Sequence, residues 1–354
     1  MPEAVEVRKF ADILSTNVLG HHITHINILK GRYHSPKKPF EGYDKLVKAL
    51  PLKIESIKTK GKFTYILLVN EKKKEQFYLF NTLGLSGGWT IKSNNKTDFA
   101  KCNHCNFMEV EKNIFTFPNI LEYITDDRQN QWFKRALNHL NVEFITDYKN
   151  ISFYFYDQLS FGTLKLVENN ANNEKNAEKS VNAKNANNKD NNNNNINTNF
   201  ILEKKLKELG PDLLDEKTTF EMFKTQISKK VNENKAIGNV IVNQKIISGV
   251  GNYLRADSLW MAKISPFRTV KNVNEDELKL LYKSLIGLIW GDYDYKTGVK
   301  KGFISKSLKL PNDYKRDFFI YKQEKDINNN IVKKEELYEG SQKRFIYWVE
   351  KIQI

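Results

Sequence analysis

The chain has 354 residues, enough for two or three domains with ordinary cores. Its 57 lysines and arginines against 42 aspartates and glutamates give a formal charge of +15, a positive field suited to a polyanionic partner without saying which one. Two cysteines exclude a disulfide framework, no apolar run approaches a transmembrane span, and the mixed helix after Arg8 and Lys9 is not a secretory signal, so a soluble, intracellular protein is expected.

Residues 1–19 read as a helix, with Val7, Phe10 and Leu14 repeating at helical period. The start is chemically unusual. Removal of Met1, which a small second residue permits, leaves Pro2 as a free secondary amine, a nucleophile able to condense with an aldehyde carbon to an iminium. Glu3 and Glu6 follow at i,i+3 on the side of the apolar stripe, where a carboxylate needs a partner or a task. Acidic residues also favour helix N-termini on electrostatic grounds alone, so this start decides nothing by itself.

Strands are predicted next at 23–29, 53–57 and 63–69, with a short helix at 43–50 between the first two. Lys60-Gly61-Lys62 makes a basic tip, which by pattern alone is a solvated turn. A strand at 77–80 runs into Leu83–Gly88, a glycine-rich loop where backbone can approach a ligand closely. Its strand, spacing and following residues are wrong for a nucleotide-phosphate loop. Residues 94–105 are polar and fit no element; 119–140 holds helical segments with Trp132, Phe133 and Leu137 at apolar spacing. Strands at 151–156 and 162–167 complete a mainly β domain over residues 1–168. From 169 to 199, 16 of 31 residues are Asn, and a segment with almost nothing apolar cannot offset the entropy of ordering, so a disordered linker is expected.

Beyond it the pattern turns helical, at 202–209 up to Gly210-Pro211, then at 219–230, 240–248, 253–263 and 275–290. Residues 298–310 read as loop, and strands at 318–323, 332–335 and 344–349 close the chain. The sharpest stretch is Gln244–Leu259: a helix, a tight Gly249-Val250-Gly251 turn, and a second helix capped by Asn252. Glycines here let the amides of Val250, Gly251 and Asn252 face an anion at a helix N-terminus. A plain packing turn with a capping Asn has the same spacing.

Together these pieces resemble the formamidopyrimidine-DNA glycosylase/endonuclease VIII family of bifunctional DNA repair enzymes. The family's usual start, Met-Pro-Glu-Gly-Pro-Glu, keeps Pro2, Glu3 and Glu6 here, with Ala4 and Val5 replacing the middle pair. Gln244–Leu259 resembles its helix-two-turns-helix signature, with Leu209-Gly210-Pro211 and Ser265-Pro266 in the matching places. The resemblance implies an α+β fold: an N-terminal helix with a catalytic β-sandwich domain (1–168), the linker (169–199), a helix-two-turns-helix DNA-binding domain (200–310) and a C-terminal finger hairpin (311–354). It implies catalysis by Pro2, Glu3, Glu6 and Lys62, and DNA contacts from Lys60, Gly251, Asn252 and Arg344. Lys62, rather than Lys60, matches the family's hairpin lysine beside the lesion phosphate.

Two departures from the family pattern matter. The family opens the duplex with three wedge side chains. Leu85 stands on the first wedge loop, but the second reads Asp157-Gln158-Leu159-Ser160-Phe161-Gly162, so Leu159 and Ser160 replace two arginines and Phe161 alone is kept. That puts opposite-base discrimination in doubt and favours lesions in single strands, bubbles or forks, where little unstacking is needed. The family's zinc finger cannot form either: Val349 and Ile352 stand where two cysteines belong, between Arg344 and a final Gln353, so the tail resembles a zincless finger. Cys102, His104 and Cys105 fall short of the four ligands of a structural zinc site unless a distant histidine joins them, and neither metal nor cofactor is expected.

The implied activity is removal of oxidised bases, pyrimidines and hydantoins foremost, by proline iminium chemistry with β,δ-elimination. A monomer acting on DNA with oxidised bases or abasic sites, and on no membrane, is expected. Two readings compete: a damaged-DNA-binding protein without catalysis, and a metal-dependent nuclease, which would need clustered acidic ligands absent from the sequence.

Overall fold

A computed structural model describes residues 2–34, 38–99, 105–118, 126–148, 150–169, 200–293, 318–339 and 342–354. The predicted linker (Asn169 apart), the predicted loop at 298–310, Cys102 and His104 lie outside these residues.

Helix α1 (Ala4–Val18) leads the fold. Val7, Phe10, Leu14 and Val18 recur at helical spacing, so one stripe of α1 packs into the core of the β domain. Ala4 and Val5, in the first turn, pack instead into the core of the helical domain. The start of the chain is therefore shared by both units.

Ten strands build the first unit: β1 (His22–Ile28), β2 (Leu52–Lys60), β3 (Phe63–Asn70), β4 (Glu75–Thr82), β5 (Gly87–Ser93), β6 (Cys105–Val110), β7 (Asn113–Pro118), β8 (Leu140–Thr146), β9 (Ser152–Asp157) and β10 (Thr163–Glu168). Helices α2 (Tyr43–Lys48) and α3 (Asp126–Asn138) interrupt them. Alternation of buried and half-buried residues along β3 is the period-two pattern of a strand with one face in the core. The hydrogen-bonded order is β10-β4-β3-β2-β1-β8-β9-β5-β7-β6. This ladder doubles back on itself. Trp89 Nε1 on β5 donates to Asn81 Oδ1 on β4 at 3.0 Å, although five strands separate the two in the ladder. Ile54, Leu79, Trp89, Phe144 and Phe155 from both halves share one core, which makes the sheet a sandwich.

The second unit holds α4 (Phe200–Glu208), α5 (Phe220–Ile227), α6 (Ile237–Val240), α7 (Asn252–Met261) and α8 (Glu275–Tyr293). The hairpin of β11 (Lys333–Glu339) and β12 (Gln342–Trp348) completes it. Ile346 and Val349 are buried in the helical core and Ile352 packs against it, so the finger shares that core rather than owning one. Gln353 locks its end: Oε1 accepts the Val349 N–H at 2.7 Å and Nε2 donates to the Ile264 carbonyl at 2.9 Å. Apolar packing and one buried amide thus do what two cysteines and zinc would do. Among the described residues no helix is long and apolar enough to cross a membrane.

Several sequence expectations change. Strands β5 (87–93), β6 (105–110) and β7 (113–118) were not expected: β5 begins inside the expected glycine-rich loop at 83–88, and β6 begins at the end of the polar stretch at 94–105. Edge strand β6 is only half-buried at alternate positions, which leaves a weak apolar signal. The helical turn here is Ile237–Val240, and residues 241–248 are tight turns rather than the expected helix. There Asn243 Oδ1 accepts the Lys245 N–H at 3.0 Å and Gln244 Nε2 donates to the Val242 carbonyl at 2.8 Å, local bonds that compete with helix formation. Residues 318–323 are no strand because a side chain takes the partner's place. The buried Asp257 carboxylate accepts the N–H groups of Phe319, Ile320 and Tyr321 at 3.2, 3.1 and 3.2 Å.

Candidate active site

The two units meet where the chain's start touches the Gly249–Gly251 turn. The Ala4 N–H donates to the Gly249 carbonyl at 3.0 Å. Gly249 has φ +99°, and a Cβ there would stand 2.6 Å from that of Ala4, so only glycine fits this approach. The next glycine serves Glu3. The Glu3 carboxylate is 1% exposed and accepts the N–H groups of Gly251, Tyr253 and Leu254 at 2.7, 3.0 and 3.3 Å. The helix N-terminus does bind an anion, as its glycines imply, but that anion is the protein's own carboxylate. The Gly251 amide, read from the sequence as a DNA contact, is thereby committed to Glu3.

Burial drives the Glu3 carboxyl up to about 7, against the pull of the Lys62 ammonium and with a push from Glu6, while the backbone N–H groups of Tyr253 and Leu254 resist. Near neutral pH the group stands between acid and base forms, the condition for efficient proton transfer. Glu6 works on geometry. Its Oε2 accepts the Glu3 N–H at 2.7 Å and its Oε1 accepts the Tyr253 hydroxyl at 3.2 Å, so the first turn of α1 is fixed from two sides. Pro2, half-buried, lies one residue ahead of Glu3.

Lys62 comes from the tight turn between β2 and β3, where Lys60 pairs with Phe63 and Gly61 takes φ +56°. The helical unit grips this turn. Asp212 Oδ2 accepts the Gly61 N–H at 2.7 Å, and a Cβ on Gly61 would meet Ser248 and Gly249 at 2.6 Å. Lys60 Nζ donates to the Leu206 carbonyl in the last turn of α4 at 2.8 Å, which commits it away from Glu3. Lys62 goes the other way: a Cβ on Gly251 would lie 2.3 Å from the Glu3 carboxyl carbon and 2.5 Å from Lys62 Nζ. Burial pushes the Lys62 ammonium below the ordinary lysine range; Glu3 and Glu6 oppose this, while Arg344 and Arg255 add to it.

Arg344 on β12, opposite Leu337, faces this cluster closely enough to disfavour the charge on Lys62 and on Arg255. Asn252 opens α7 and is half-buried. Arg255, one turn further on, was not singled out by sequence reasoning. The available signal was an arginine amid Tyr253, Leu254, Ala256 and Leu259, all of which are buried.

The wedge candidates sit on two neighbouring loops. Leu85, Leu159 and Phe161 are 45%, 51% and 59% exposed, although large apolar side chains normally turn inward. Asp157 ties the loops: it accepts the Ser86 hydroxyl at 2.5 Å and the Gly162 N–H at 2.6 Å, and Ser86 Oγ accepts the Leu159 N–H at 2.8 Å. Arg32 braces the second loop from below, donating to the carbonyls of Ser160 and Gly162 at 3.2 and 3.1 Å. Cys105 is disulfide-bonded. Among the described residues no three His, Cys, Asp or Glu side chains gather as metal ligands would.

Comparison with known proteins fits this geometry. Residues 1–164 match the formamidopyrimidine-DNA glycosylase N-terminal domain, and residues 209–292 match the H2TH domain of the same glycosylase. The chain belongs to the formamidopyrimidine-DNA glycosylase/endonuclease VIII family. It is 40% identical over 88 residues to the formamidopyrimidine-DNA glycosylase of Rickettsia canadensis, covering 25% of this chain and 31% of the relative. It is 31% identical over 81 residues to the endonuclease 8 of Pectobacterium atrosepticum, covering 23% and 31%. The chain thus spans about a third of the length of the curated relatives it matches. In fold it resembles the Lactococcus lactis Fpg solved with abasic-site DNA, with a TM-score of 0.62 and 18% identity over 99% of both chains. A viral DNA glycosylase gives 0.60 and 15% over 99% of this chain and 100% of that one. The two family matches bracket the site: Glu3, Glu6 and Lys62 fall in the N-terminal domain, and Gly251, Asn252 and Arg255 in the H2TH domain.

Proposed function

We propose that this family member is a bifunctional DNA glycosylase and abasic-site lyase that removes oxidised bases through its N-terminal proline. The observation that carries the reading is the Glu3 carboxyl, buried, held near 7 and wedged between Lys62 and the start of α7, one residue after Pro2. With Met1 removed, the Pro2 nitrogen attacks the sugar C1′ of a flipped nucleotide as the bond from C1′ to the base breaks. Protonated Glu3 gives its proton to the leaving base, the proton that the Pro2 nitrogen sheds on bonding C1′ passes through Glu3 to the ring oxygen, and the sugar opens to an iminium on Pro2. Loss of a C2′ proton then breaks the C3′–O bond, and a second elimination breaks the C5′–O bond. Water releases the sugar fragment, leaving a gap with phosphate on both ends. Lys62, Asn252 and Arg344 are assigned to the backbone phosphates, Lys62 as a mobile point charge and Arg344 as a planar fork.

Relatives named formamidopyrimidine-DNA glycosylase and endonuclease 8, and the likeness to a glycosylase solved on abasic-site DNA, support the reaction class. The wedge loops refine the substrate. With Leu159 and Ser160 in place of arginines, oxidised pyrimidines and hydantoins in single strands, bubbles or forks are favoured over lesions in intact duplex. The test is borohydride trapping on abasic-site DNA, single- and double-stranded, with a chelator present, comparing free Pro2 with retained Met1. A covalent adduct that needs free Pro2 and survives the chelator supports the proposal. Tight binding with no adduct on any substrate would leave a binding-only protein, and cleavage lost to the chelator would make it a nuclease.

A further inference from the structure

We propose that Arg255 is a positioning residue that presents the two candidate phosphate-binding side chains, Asn252 and Arg344, in a single arrangement. The inference rests on the DNA-binding reading above. Arg255 is 0% exposed, inside a helix whose neighbouring side chains are mostly apolar. Its Nε and Nη1 have no hydrogen-bond partner among the described residues. A guanidinium taken out of water without a carboxylate in contact is costly, so the fold retains it for a reason other than packing.

The reason lies in what Nη2 touches. It donates to the Phe345 carbonyl at 2.6 Å and to Asn252 Oδ1 at 3.3 Å. The first bond fixes strand β12 at the residue after Arg344, where that side chain leaves the backbone. The second fixes the sense of an amide. A guanidinium can only donate, so it must face the oxygen of Asn252 and turn the NH2 group away. An amide left to rotate would offer oxygen as readily as nitrogen, and oxygen repels a phosphate. One buried group therefore aims a donor on α7 and a cation on β12 at the space beside Lys62. Burial, then Arg344, push the Arg255 guanidinium down to about 10, while Glu3 favours its charge. Three cations thus converge on a place that a backbone phosphate would neutralise.

The arrangement also says what cannot replace Arg255. Lysine keeps the charge but is a point donor on a flexible stem and cannot hold both acceptors in one plane. Glutamine keeps a planar donor without the charge or the reach.

The test is a double-mutant cycle on the full chain. Affinity for DNA carrying a tetrahydrofuran abasic-site analogue is measured by anisotropy for wild type, R255K, R344A and R255K/R344A. Thermal melting and borohydride trapping at saturating abasic DNA run alongside. R255K and R344A are each expected to weaken binding on the order of tenfold, and R255K to cost clearly less than that in the R344A background, because the share of its effect that runs through Arg344 is gone and only the share through Asn252 remains. Trapping by R255K at saturating DNA should stay within about threefold of wild type, the signature of an effect on binding rather than on chemistry. Losses that multiply in the double variant, or loss of trapping by R255K at saturation, would overturn the proposal. If R255K does not fold, the same cycle on N252A and R344A reads the bridge directly: coupling supports it and independent losses sink it. Wild type that fails to prefer abasic over undamaged DNA would instead refute the functional reading beneath it.

Discussion

The Glu3 carboxylate and the Gly251 amide, 248 positions apart in the chain, are 2.7 Å from each other. This bond makes the candidate proton carrier a structural link between the two units, since Glu3 stands at the head of α1 and Gly251 at the head of α7. Protonation of Glu3 weakens its bonds to three N–H groups but removes a buried charge, the larger effect, so the same proton bears on chemistry and on the junction of the two units.

The first prediction concerns that proton. The Glu3 carboxyl rises from an ordinary 4.5 to about 7 on folding, chiefly through burial. The folded state therefore binds more protons than the unfolded one between these values. Stability from this group is full below the unfolded value and falls as pH rises through about 7. Urea unfolding of wild type and Glu3→Gln from pH 5 to 8 should show the wild type losing on the order of 3 kcal/mol relative to the variant. A pH-independent difference would mean Glu3 does not titrate there. In the same range base excision by wild type should decline above pH 7 as the acid form is lost, and Glu3→Gln should lose at least about a hundredfold in single-turnover excision.

A second prediction separates site from fold. The nearest neighbours of a Cβ on Gly251 are the ends of two side chains, the Glu3 carboxyl at 2.3 Å and the Lys62 ammonium at 2.5 Å. Moving the buried Glu3 carboxylate strains its bonds to three N–H groups, so Gly251→Ala should cost on the order of 3 kcal/mol of stability. The displaced groups are the ones assigned to chemistry, and excision should fall on the order of a hundredfold because small misplacements at a reacting centre are expensive. Near-normal turnover in a folded variant would dissociate Glu3 from the reaction.

Much of this was legible in the sequence because local signals and chemistry coincide. Pro2-Glu3 ahead of the first helix, Lys62 at a two-residue turn, and Gly249 and Gly251 at a tight turn stand out locally, although the cap of α7 is Gly251 and the expected cap, Asn252, is the first residue of the helix. What stayed hidden depends on contacts across the chain. No local pattern says that the α7 N-terminus receives Glu3, that Lys60 is spent on α4, or that Asp257 replaces a strand partner for residues 319–321. Edge strand β6 and its neighbour β7 were missed for a related cause, since β7 takes its place from β5 and β6 from β7 rather than from their own period.

Asp212 yields a third prediction. Its two oxygens accept the N–H groups of Gly61 and Leu214 at 2.7 and 3.0 Å, joining the Lys62 turn to the helical unit. Asp212→Ala leaves two donors without an acceptor and should cost on the order of 2 kcal/mol, measured by denaturant unfolding. Because the tip that carries Lys62 loses its anchor, abasic-strand cleavage should fall further than this stability loss explains at temperatures where the variant is fully folded. Asp212→Asn keeps one strong acceptor and should lie between the two. Equal cleavage by all three would show that the turn holds its shape unaided.

The wedge supplies the last prediction. Leu85, Leu159 and Phe161 stay outside the core although burying any of them would be worth roughly 2 kcal/mol, so the loops that Asp157 ties are built to hold them outward. Phe161, at 59% exposed, is the largest of the three and the one best suited to fill a gap in a base stack. Phe161→Ala should weaken binding to an abasic site in duplex DNA by about tenfold and to the same site in a single strand by less than about threefold, since only the duplex must be opened. Ser160→Arg, which returns an arginine to the loop, should narrow the gap between duplex and single strand by favouring the duplex. Stopped-flow binding to both substrates measures it. Equal losses on duplex and single strand for Phe161→Ala would mean that the exposed ring stacks on the strand itself, and the loop would then be a stacking platform instead of a wedge.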